Sequence, residues 1–367
     1  MTHTVTPYEV TGTVDYDKLI LEFGVKRIDQ VLLDRITALA GTHFMLHRQY
    51  FFAHTNLDKI ITALEKKEKV YLYTGRGPSG PMHLGHISSY VFIIWLQKHL
   101  GCELVFQIPD DEKFLFKEAT TFDDTARWMR ENLLDLVALG FDLKKTKFVI
   151  NTRDASQLYK IACRVAKKTT ASTVKALFGL KPEDNVGKYF YTCMQTVPAF
   201  LPTEWEGKPT QVLIPCGIDQ DVHFRLTRDV AEKLGYPKPA TILSKFMPSL
   251  SGDSKLSSTG EQAIWTTDGP KEVEHKIKKY AFSGGKDTIE EHRKHGGNPD
   301  IDVSFQWLSM MFEPDDRKLA SLRDDYRSGK LLSGELKQVL IEKINIFLAE
   351  HQKKRKDAEK VVDQLLA

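Results

Sequence analysis

The sequence predicts an α/β fold built on a doubly wound parallel sheet, with a helical insertion and an all-α C-terminal domain. A strand, a glycine loop, a helix and a second strand follow one another over residues 69–109, which makes one βαβ unit. A second strand-to-helix turn follows residues 211–215, and past residue 260 the sequence changes to charged helices with apolar stripes. Ligands of such sheets bind beyond the carboxyl ends of the strands, so we expect the functional residues in the loops that leave them.

The length and composition allow two domains and exclude several classes of protein. A chain of 367 residues can bury an α/β core and still form a second, smaller domain. Lys and Arg exceed Asp and Glu by only 52 to 49, so any RNA-binding surface must be a local patch. We expect neither a secretory signal nor a membrane span, which needs about 20 apolar residues. The four cysteines contain no C-x-x-C pair, which favours a reduced, intracellular setting over zinc or disulfides.

Local patterns predict the elements of the fold in order. Apolar positions recur at helical spacing over 16–39, with an interruption at Gly24. The elements that follow are a strand at 69–74, a glycine loop at 75–81, a buried helix at 83–100, a strand at 102–109, a mostly helical stretch at 119–180 with a strand at 148–150, a strand at 211–215 and a helix at 221–234. Two βαβ halves of Rossmann type thus flank a helical insertion, and we expect ligands in the loops after Thr74, Ile108 and Pro215.

A separate helical domain is predicted to begin near residue 260. Within it, Ser333 is expected to cap a helix whose apolar residues form one stripe over 336–348. No internal repeat or low-complexity tract is visible.

His-Leu-Gly-His at 83–86 stands where the glycine loop becomes a helix. A helix start offers unpaired N–H groups and about half a positive charge, and histidines at i, i+3 can donate hydrogen bonds to phosphate oxygens. Gly85 removes a side chain, so a flat base can lie against the backbone. The motif predicts a polyphosphate site. Taken alone, it is more often two ordinary helical histidines, and no His-Glu-x-x-His pattern supports a metal site.

Lys-Leu-Ser-Ser-Thr at 255–259 is the second candidate motif, and it lies in a Ser- and Gly-rich stretch at 249–260. A lysine on a flexible loop can move onto a leaving pyrophosphate. Taken alone, such a stretch is more often a solvated loop.

Together the two motifs resemble the signature pair of class I aminoacyl-tRNA synthetases. The resemblance narrows to the eukaryotic and archaeal type of tryptophanyl-tRNA synthetase. The blocks that carry it are 71–79, 82–86, 110–113, 214–221 and the highly specific stretch 281–293. It extends from about Val14 to the C-terminus. The general class signature has a second lysine where this chain has Ser258, so only Lys255 is available, as in other members of this type.

The resemblance implies that the chain activates L-tryptophan with ATP and then loads it onto tRNA(Trp). Tyr73 and Gln107 would accept the indole N–H from opposite sides. Glu112, Gln195 and Gln220 would hold the amino and carboxylate groups. A pocket with buried partners for an indole N–H penalises side chains that lack that donor.

The resemblance also implies a set of ATP-binding residues, with Mg²⁺ held mostly by phosphates and water rather than by protein ligands. These residues are Arg76, Gly77, His83, Gly85, His86, Gly217, Asp219, Gln220, Lys255 and Ser257. Among them, His83, His86 and Lys255 would be catalytic, because in-line attack on the α-phosphate depends on positioning and on neutralising charge.

The implied organisation is that of a cytoplasmic homodimer. Its parts would be an N-terminal extension packed on the core at 1–68, a Rossmann-type catalytic domain at 69–259 with an insertion and dimer region at about 115–205, a helical anticodon-binding domain at 260–353 and a final helix at 354–367. The basic run at 353–356 fits either a contact with the tRNA phosphate backbone or a solvated helix face.

Three other interpretations compete with this one. A tyrosyl-tRNA synthetase would share the fold and the signature pair, but Gln107 and the block 281–293 argue against it. A small-molecule adenylyltransferase would explain neither the helical tail nor the lysine loop. A catalytically silent descendant of a synthetase would have no reason to keep His83, His86 and Lys255.

Overall fold

The computed structural model describes residues 4–5, 10–11, 15–252, 255–256 and 262–367. Its strands are β1 (Thr4–Val5), β2 (Val10–Thr11), β3 (Lys26–Arg27), β4 (Phe51–Thr55), β5 (Val70–Gly75), β6 (Glu103–Ile108), β7 (Thr146–Ile150), β8 (Gln211–Gly217) and β9 (Ala240–Ser244). Its α-helices are α1 (Tyr16–Phe23), α2 (Gln30–Ala40), α3 (Phe44–His47), α4 (Leu57–Glu65), α5 (Leu84–Leu100), α6 (Asp110–Phe116), α7 (Phe122–Leu139), α8 (Ala155–Ala166), α9 (Ala171–Phe178), α10 (Val186–Met194), α11 (Leu201–Glu206), α12 (Asp221–Ala231), α13 (Pro270–Tyr280), α14 (Ile289–His295), α15 (Val303–Trp307), α16 (Asp316–Arg327), α17 (Ser333–Asp357) and α18 (Glu359–Leu366). Single 3₁₀ turns span Val197–Ala199, Ile218–Gln220 and Glu232–Leu234, and a π-helical turn spans Leu308–Phe312.

Within the described residues, β3 to β9 form a seven-stranded sheet in the order β3-β4-β9-β8-β5-β6-β7. Strands β5 to β9 pair in parallel, whereas β3 and β4 pair antiparallel at one edge. Because β5 lies between β8 and β6, the strand order reverses there, and a ligand crevice opens at such a switch point. The structure confirms the predicted doubly wound class.

The glycine-loop unit is confirmed to within one residue at each boundary, since β5, α5 and β6 occupy the predicted positions. The interruption at Gly24 is also confirmed. Gly24 adopts a left-handed conformation, with φ of 64°, and ends α1, so the stretch 16–39 holds two helices rather than one.

Three features of the fold differ from the sequence predictions. The N-terminal extension was predicted only as helices packed on the core, but β3 and β4 extend the sheet itself. Strands β4 and β9 were not predicted, because five-residue apolar runs cannot be assigned by periodicity alone. The cap at Ser333 is also wrong: α17 begins at Ser333, while the Glu335 carboxylate accepts the Leu332 N–H at 2.7 Å.

Helices cover both faces of the sheet. On one face Tyr71, Tyr73 and Val105 pack with helices of the insertion, including Leu158 of α8. The opposite face belongs to a larger apolar cluster that contains α5, α7, α15 and α17. The C-terminal helices therefore share a continuous core with the sheet. Among the described residues, no helix combines the length and the apolar composition needed to cross a membrane.

A buried ion pair should make a large contribution to the stability of this fold. Asp221 is fully buried at the start of α12, and its carboxylate accepts from the Arg228 guanidinium at 3.0 and 2.8 Å. Arg228→Ala leaves the carboxylate buried without a counter-charge, so we expect urea titration to show a loss of about 3–5 kcal/mol. Arg327→Ala, which breaks an exposed pair with Asp300, is the control and should cost about 1 kcal/mol or less. Equal losses in the two variants would contradict this assignment.

Candidate active site

The start of α5 is organised by its two histidines. His83 caps the helix, and its Nδ1 accepts the Gly85 backbone N–H at 3.1 Å. The His83 backbone N–H in turn donates to Nδ1 of His86 at 3.2 Å, and the two ring centroids are 3.6 Å apart. The Leu84 N–H donates to the Ile264 carbonyl at 3.0 Å, so the segment after the lysine loop braces the helix start. The sequence thus places both imidazoles at one end of one helix.

Arg76 contacts this histidine pair from the glycine loop. Its Nη1 lies 3.0 Å from Nε2 of His86, and its Nε donates to Oδ1 of Asn132 at 3.2 Å. A neutral imidazole accepts at one nitrogen and donates at the other. Since Nδ1 of His86 accepts from the backbone, its Nε2–H and the Arg76 N–H are two donors that face each other. An anionic acceptor between them would satisfy both, which favours a phosphate oxygen at this point.

Burial keeps both imidazoles neutral. Desolvation first, and then the positive charges of Arg76 and Lys255, lower the pKa of His83 to about 3. The pKa of His86 also lies well below its usual value, first because of burial and then because of Arg76. Burial lowers the pKa of the Arg76 guanidinium as well. The imidazoles therefore serve as hydrogen-bonding groups at neutral pH, and Arg76 and Lys255 carry the charge.

Side chains lie close to the backbone of two glycines of the site. A Cβ at Gly77 would clash with Oε2 of Glu112. A Cβ at Gly85 would lie 3.0 Å from the His83 ring and 3.1 Å from Cδ2 of Leu256. Gly85 thus lies directly beneath the start of the lysine loop, and both positions keep the backbone accessible.

Tyr73, Gln107 and Gln195 meet in a buried polar cluster between β5, β6 and α10. The Tyr73 hydroxyl donates to Oε1 of Gln107 at 2.6 Å, and Nε2 of Gln195 lies 3.4 Å from the same hydroxyl. Desolvation raises the pKa of Tyr73, so the phenol stays protonated. Tyr73 and Gln107 therefore touch each other here, and their expected acceptance of an indole N–H from opposite sides stays a prediction.

The neighbours of this cluster were not foreseen. Nε2 of Gln107 donates to Oδ1 of Asn151 at 3.0 Å, and Nδ2 of Asn151 donates to Asp111 at 2.8 Å. The Tyr191 hydroxyl donates to Oε1 of Gln195 at 2.6 Å. Burial raises the pKa of Asp111 to about 6. Asn151 directly follows β7, at the same carboxyl edge of the sheet, which was the available signal.

Glu112 lies at the side of the pocket towards the glycine loop. Its Oε1 accepts from the Lys113 ammonium at 2.8 Å, while its Oε2 faces Gly77. Its charge also acts on His223 and Arg76. Glu112 therefore lies between the tyrosine–glutamine cluster and the histidine pair, where an amino group attached to a substrate in the pocket could be held.

Lys255 is bound to Asp219 at the second strand-to-helix turn. Its Nζ lies 2.6 Å from Oδ2 of Asp219, which is 1% exposed, and Nε2 of Gln220 donates to the same oxygen at 3.0 Å. A Cβ at Gly217 would lie 2.6 Å from Oδ1 of Asp219, so this turn also needs a glycine. The backbone N–H of Leu256 donates to the Met247 carbonyl at 2.9 Å. Ser257 and the rest of that motif lie outside the described residues.

The structure thus collects the predicted site residues into three adjacent groups, at the ends of β5, β6 and β8. Arg76, His83 and His86 form the first, Tyr73, Gln107 and Gln195 the second, and Asp219, Gln220 and Lys255 the third. Glu112 lies against Gly77 of the glycine loop next to the first group, and Leu256 above Gly85 joins the first group to the third. Asn132, which binds Arg76, was missed because nothing in a helical pattern distinguishes a buried asparagine from an exposed one.

Known proteins resemble this chain over most of its length. The family model described as class I tRNA synthetases (W and Y) matches residues 65–349. The chain belongs to this family. It is 49% identical over 363 residues to the tryptophan–tRNA ligase of Sulfurisphaera tokodaii and 49% identical over 362 residues to that of Saccharolobus solfataricus; each alignment covers 98% of this chain and 94% of the relative.

Solved structures agree with this family. The tryptophanyl-tRNA synthetase of Plasmodium falciparum is 38% identical, with a TM-score of 0.88 and 94% coverage of both chains. That of Aeropyrum pernix is 32% identical, with a TM-score of 0.88 and 96% coverage of both. The matched region of the synthetase, 65–349, includes all three groups of site residues.

The buried neutral histidine makes the stability of the synthetase depend on pH. Because the pKa of His83 is about 3 in the folded protein and 6.5 as a reference, only the unfolded chain takes up this proton as the pH falls through that window. Stability should therefore fall below about pH 6.5 and be independent of His83 above it. His83→Asn keeps a good N-cap, so its thermal midpoint should fall less than that of the wild type between about pH 6.5 and about pH 4.5.

The control for this measurement is His99→Asn, which removes an exposed histidine from the other end of α5. It should follow the wild-type pH profile. Parallel profiles for the wild type and His83→Asn would show that His83 does not carry the effect.

Proposed function

We propose that this chain is a tryptophan–tRNA ligase. It activates L-tryptophan with ATP to tryptophanyl-adenylate and pyrophosphate, then transfers the tryptophan to the terminal ribose of its tRNA. The observation that carries this proposal is the buried Tyr73–Gln107 acceptor pair beside the Arg76–His86 donor pair, in a chain 49% identical to tryptophan–tRNA ligases. One pair fits an indole N–H and the other fits a phosphate oxygen.

Tryptophan recognition rests on the buried polar cluster. Tyr73 and Gln107 are 1% and 0% exposed, so an indole N–H placed against them would make hydrogen bonds that water does not weaken. Phenylalanine has no N–H to donate to either oxygen, so it would forgo this hydrogen bond and leave the Tyr73 and Gln107 oxygens with the bonds that they make to each other and to Gln195. Glu112, Gln195 and Gln220 surround the space next to the pair and would hold the amino and carboxylate groups.

ATP would lie across the strand-order reversal between β5 and β8. The phosphates would contact the backbone at Gly77 and Gly85 and the side chains of Arg76, His83 and His86. At the other end of the nucleotide, Gly217, Asp219 and Gln220 would meet the ribose and base. Lys255, together with Ser257, would close over the triphosphate after leaving Asp219.

The chemistry requires positioning and charge compensation. A carboxylate oxygen of tryptophan attacks the α-phosphorus, the bond from that phosphorus to the bridging oxygen breaks, and pyrophosphate leaves as its Mg²⁺ complex. His83 and His86 donate hydrogen bonds while remaining neutral, and Arg76 and Lys255 neutralise the charge that develops on the phosphates. No proton transfer and no covalent enzyme intermediate are needed. In the second step, a ribose hydroxyl of the tRNA attacks the carbonyl carbon of the adenylate; the bond from that carbon to the phosphate oxygen breaks, AMP leaves, and the hydroxyl proton passes to its phosphate or to water.

The helices after residue 260 are proposed to bind the anticodon region of tRNA(Trp). The proposed domains are those that the sequence predicts, at 1–68, 69–259, 260–353 and 354–367. Within the basic run, Arg355 is committed to ion pairs with Glu131 and Asp135, so it supports the fold. Lys353 and Lys356 are exposed and fit a contact with the phosphate backbone.

Dimer formation and a cytoplasmic location complete the proposal. The insertion exposes large apolar side chains, which mark interaction surfaces when they cluster. These side chains are Phe114, Phe122, Tyr159, Val186 and Phe190. The rings of Phe114 and Phe122 stack 4.2 Å apart, and Tyr159 lies beside Phe190. The four free cysteines fit a reducing compartment.

ATP–pyrophosphate exchange, run separately with tryptophan and with tyrosine, tests the activity and its specificity. We expect exchange with tryptophan alone, because the buried acceptor pair faces an indole N–H. Exchange with tyrosine only would identify the sister activity of the same family, and no exchange with either would identify a silent descendant.

Lys255→Ala tests the role of the lysine loop. Because Lys255 acts on the phosphates, the rate of adenylate formation should fall by a factor of about 10² or more, as when one transition-state donor is lost. The KM for tryptophan should change little, since Lys255 is not part of the Tyr73 cluster. Lys271→Ala, which removes an exposed lysine from α13, is the matched control and should leave both values unchanged. Equal losses in rate and tryptophan affinity would place Lys255 in another role.

A further inference from the structure

One helix, α7, contacts both the phosphate-binding arginine and the long C-terminal helix α17. Asn132 and Asp135 lie one turn apart on its buried face and are 3% and 1% exposed. Asn132 faces the glycine loop, whereas Asp135 faces α17. The two helices also pack along their length and belong to one apolar cluster.

The Asn132 amide holds two parts of the phosphate site. Its Oδ1 accepts from Nε of Arg76 at 3.2 Å, and its Nδ2 donates to the Gly80 carbonyl at 2.9 Å. Held at Nε, the guanidinium directs its Nη atoms towards His86 and the Pro81 carbonyl. A neutral amide fixes this orientation without cancelling the positive charge, which a carboxylate would do. Among the described residues, no carboxylate forms an ion pair with Arg76.

The Asp135 carboxylate anchors α17 to the same helix. Its Oδ1 lies 2.8 Å from Nε2 of His351 and 2.7 Å from Nη1 of Arg355. Asp135 and the His351 side chain are both 2% exposed in this contact. Arg355 also pairs with Glu131, one turn back on α7. A buried carboxylate with two such partners resists displacement, because moving α17 would leave it unpaired.

We propose that Asn132 is a positioning residue for Arg76, and that the Asp135–His351–Arg355 cluster holds α7 in the place where Asn132 can perform this role. The C-terminal helix α17 is thus part of the ATP-binding machinery, although none of its residues belongs to the proposed ATP site. This inference rests on the proposed role of Arg76 in binding phosphate. If it holds, the affinity for ATP depends on the position of α17 against α7, whereas the affinity for tryptophan does not.

The first experiment is a double-mutant cycle on Asn132 and Arg76, read by ATP–pyrophosphate exchange. Asn132→Ala should raise the KM for ATP about tenfold, the order expected for losing a hydrogen bond to a charged group, with little change in the KM for tryptophan. In an Arg76→Ala background the same substitution should raise the KM for ATP much less, because only the hydrogen bond to the Gly80 carbonyl is left to lose. Gln97→Ala is the control: it removes another buried amide, which hydrogen-bonds to Thr146 and Asp142 at the other end of α5, and should lower thermal stability without changing the KM for ATP.

The second experiment changes the α17 contact without removing volume. Asp135→Asn keeps the shape of the side chain but removes the charge that holds His351 and Arg355. The KM for ATP should therefore rise several-fold, while the KM for tryptophan should stay unchanged. Lys343→Ala breaks a different ion pair of α17, with the buried Glu313, that does not involve α7. It should lower the thermal midpoint and leave the KM for ATP unchanged.

The outcomes separate this inference from the function it builds on. If Arg76→Ala leaves the KM for ATP unchanged, the phosphate role of Arg76 is wrong and the inference fails with it. If Arg76→Ala raises that KM but Asn132→Ala and Asp135→Asn do not, only the inference fails. Should Asn132→Ala not fold, the isosteric Asp135→Asn decides: a loss of stability with unchanged KM for ATP overturns the proposal.

Discussion

The partial burial of a positive guanidinium beside two neutral imidazoles is the constraint on which the site depends. Arg76 is desolvated, and among the described residues no carboxylate forms an ion pair with it. A buried charge of this kind is costly unless dipoles or a counter-ion compensate it. The Asn132 amide and the Pro81 carbonyl provide dipoles but no negative charge. A bound polyanion would therefore compensate a positive charge that the protein itself leaves without a counter-charge.

The fold supplies this arrangement through chain segments that are distant in sequence. The strand-order reversal between β5 and β8 opens the crevice, and α5 brings its N-terminus and both histidines to it. Helix α7 supports the arginine from behind, and α17 supports α7. The segment after the lysine loop closes the other side, where the Leu84 N–H donates to the Ile264 carbonyl. The polar side chains of the site are thus held in place by helices α5, α7 and α17, whose apolar residues pack in one core.

Sequence patterns predict what lies within one segment and miss what joins distant segments. The helix at 83–100 was placed to within one residue because its glycine loop and apolar residues are contiguous. The contacts of Asn132 with Arg76 and of Asp135 with His351 span 56 and 216 residues, and no local pattern encodes them. The tryptophan pocket was assigned through family resemblance, since Tyr73 and Gln107 alone look like ordinary strand residues. Asn151 belongs to no motif, and only its position at the carboxyl end of β7 indicates that it lies near the site.

In the proposed function, the ion pair between Lys255 and Asp219 would link closure of the lysine loop to nucleotide binding. Asp219 is buried and cannot follow the lysine, and its Oδ1 has no hydrogen-bond partner among the described residues. When Lys255 moves to the phosphates, Asp219 keeps only the Gln220 amide at 3.0 Å. A buried carboxylate left in that state is costly, and ribose hydroxyls of ATP, placed at this turn, would donate to it. Under the proposed function, ATP would attract the lysine with its phosphates and replace it at Asp219 with its ribose, so one ligand would satisfy both ends of the broken ion pair.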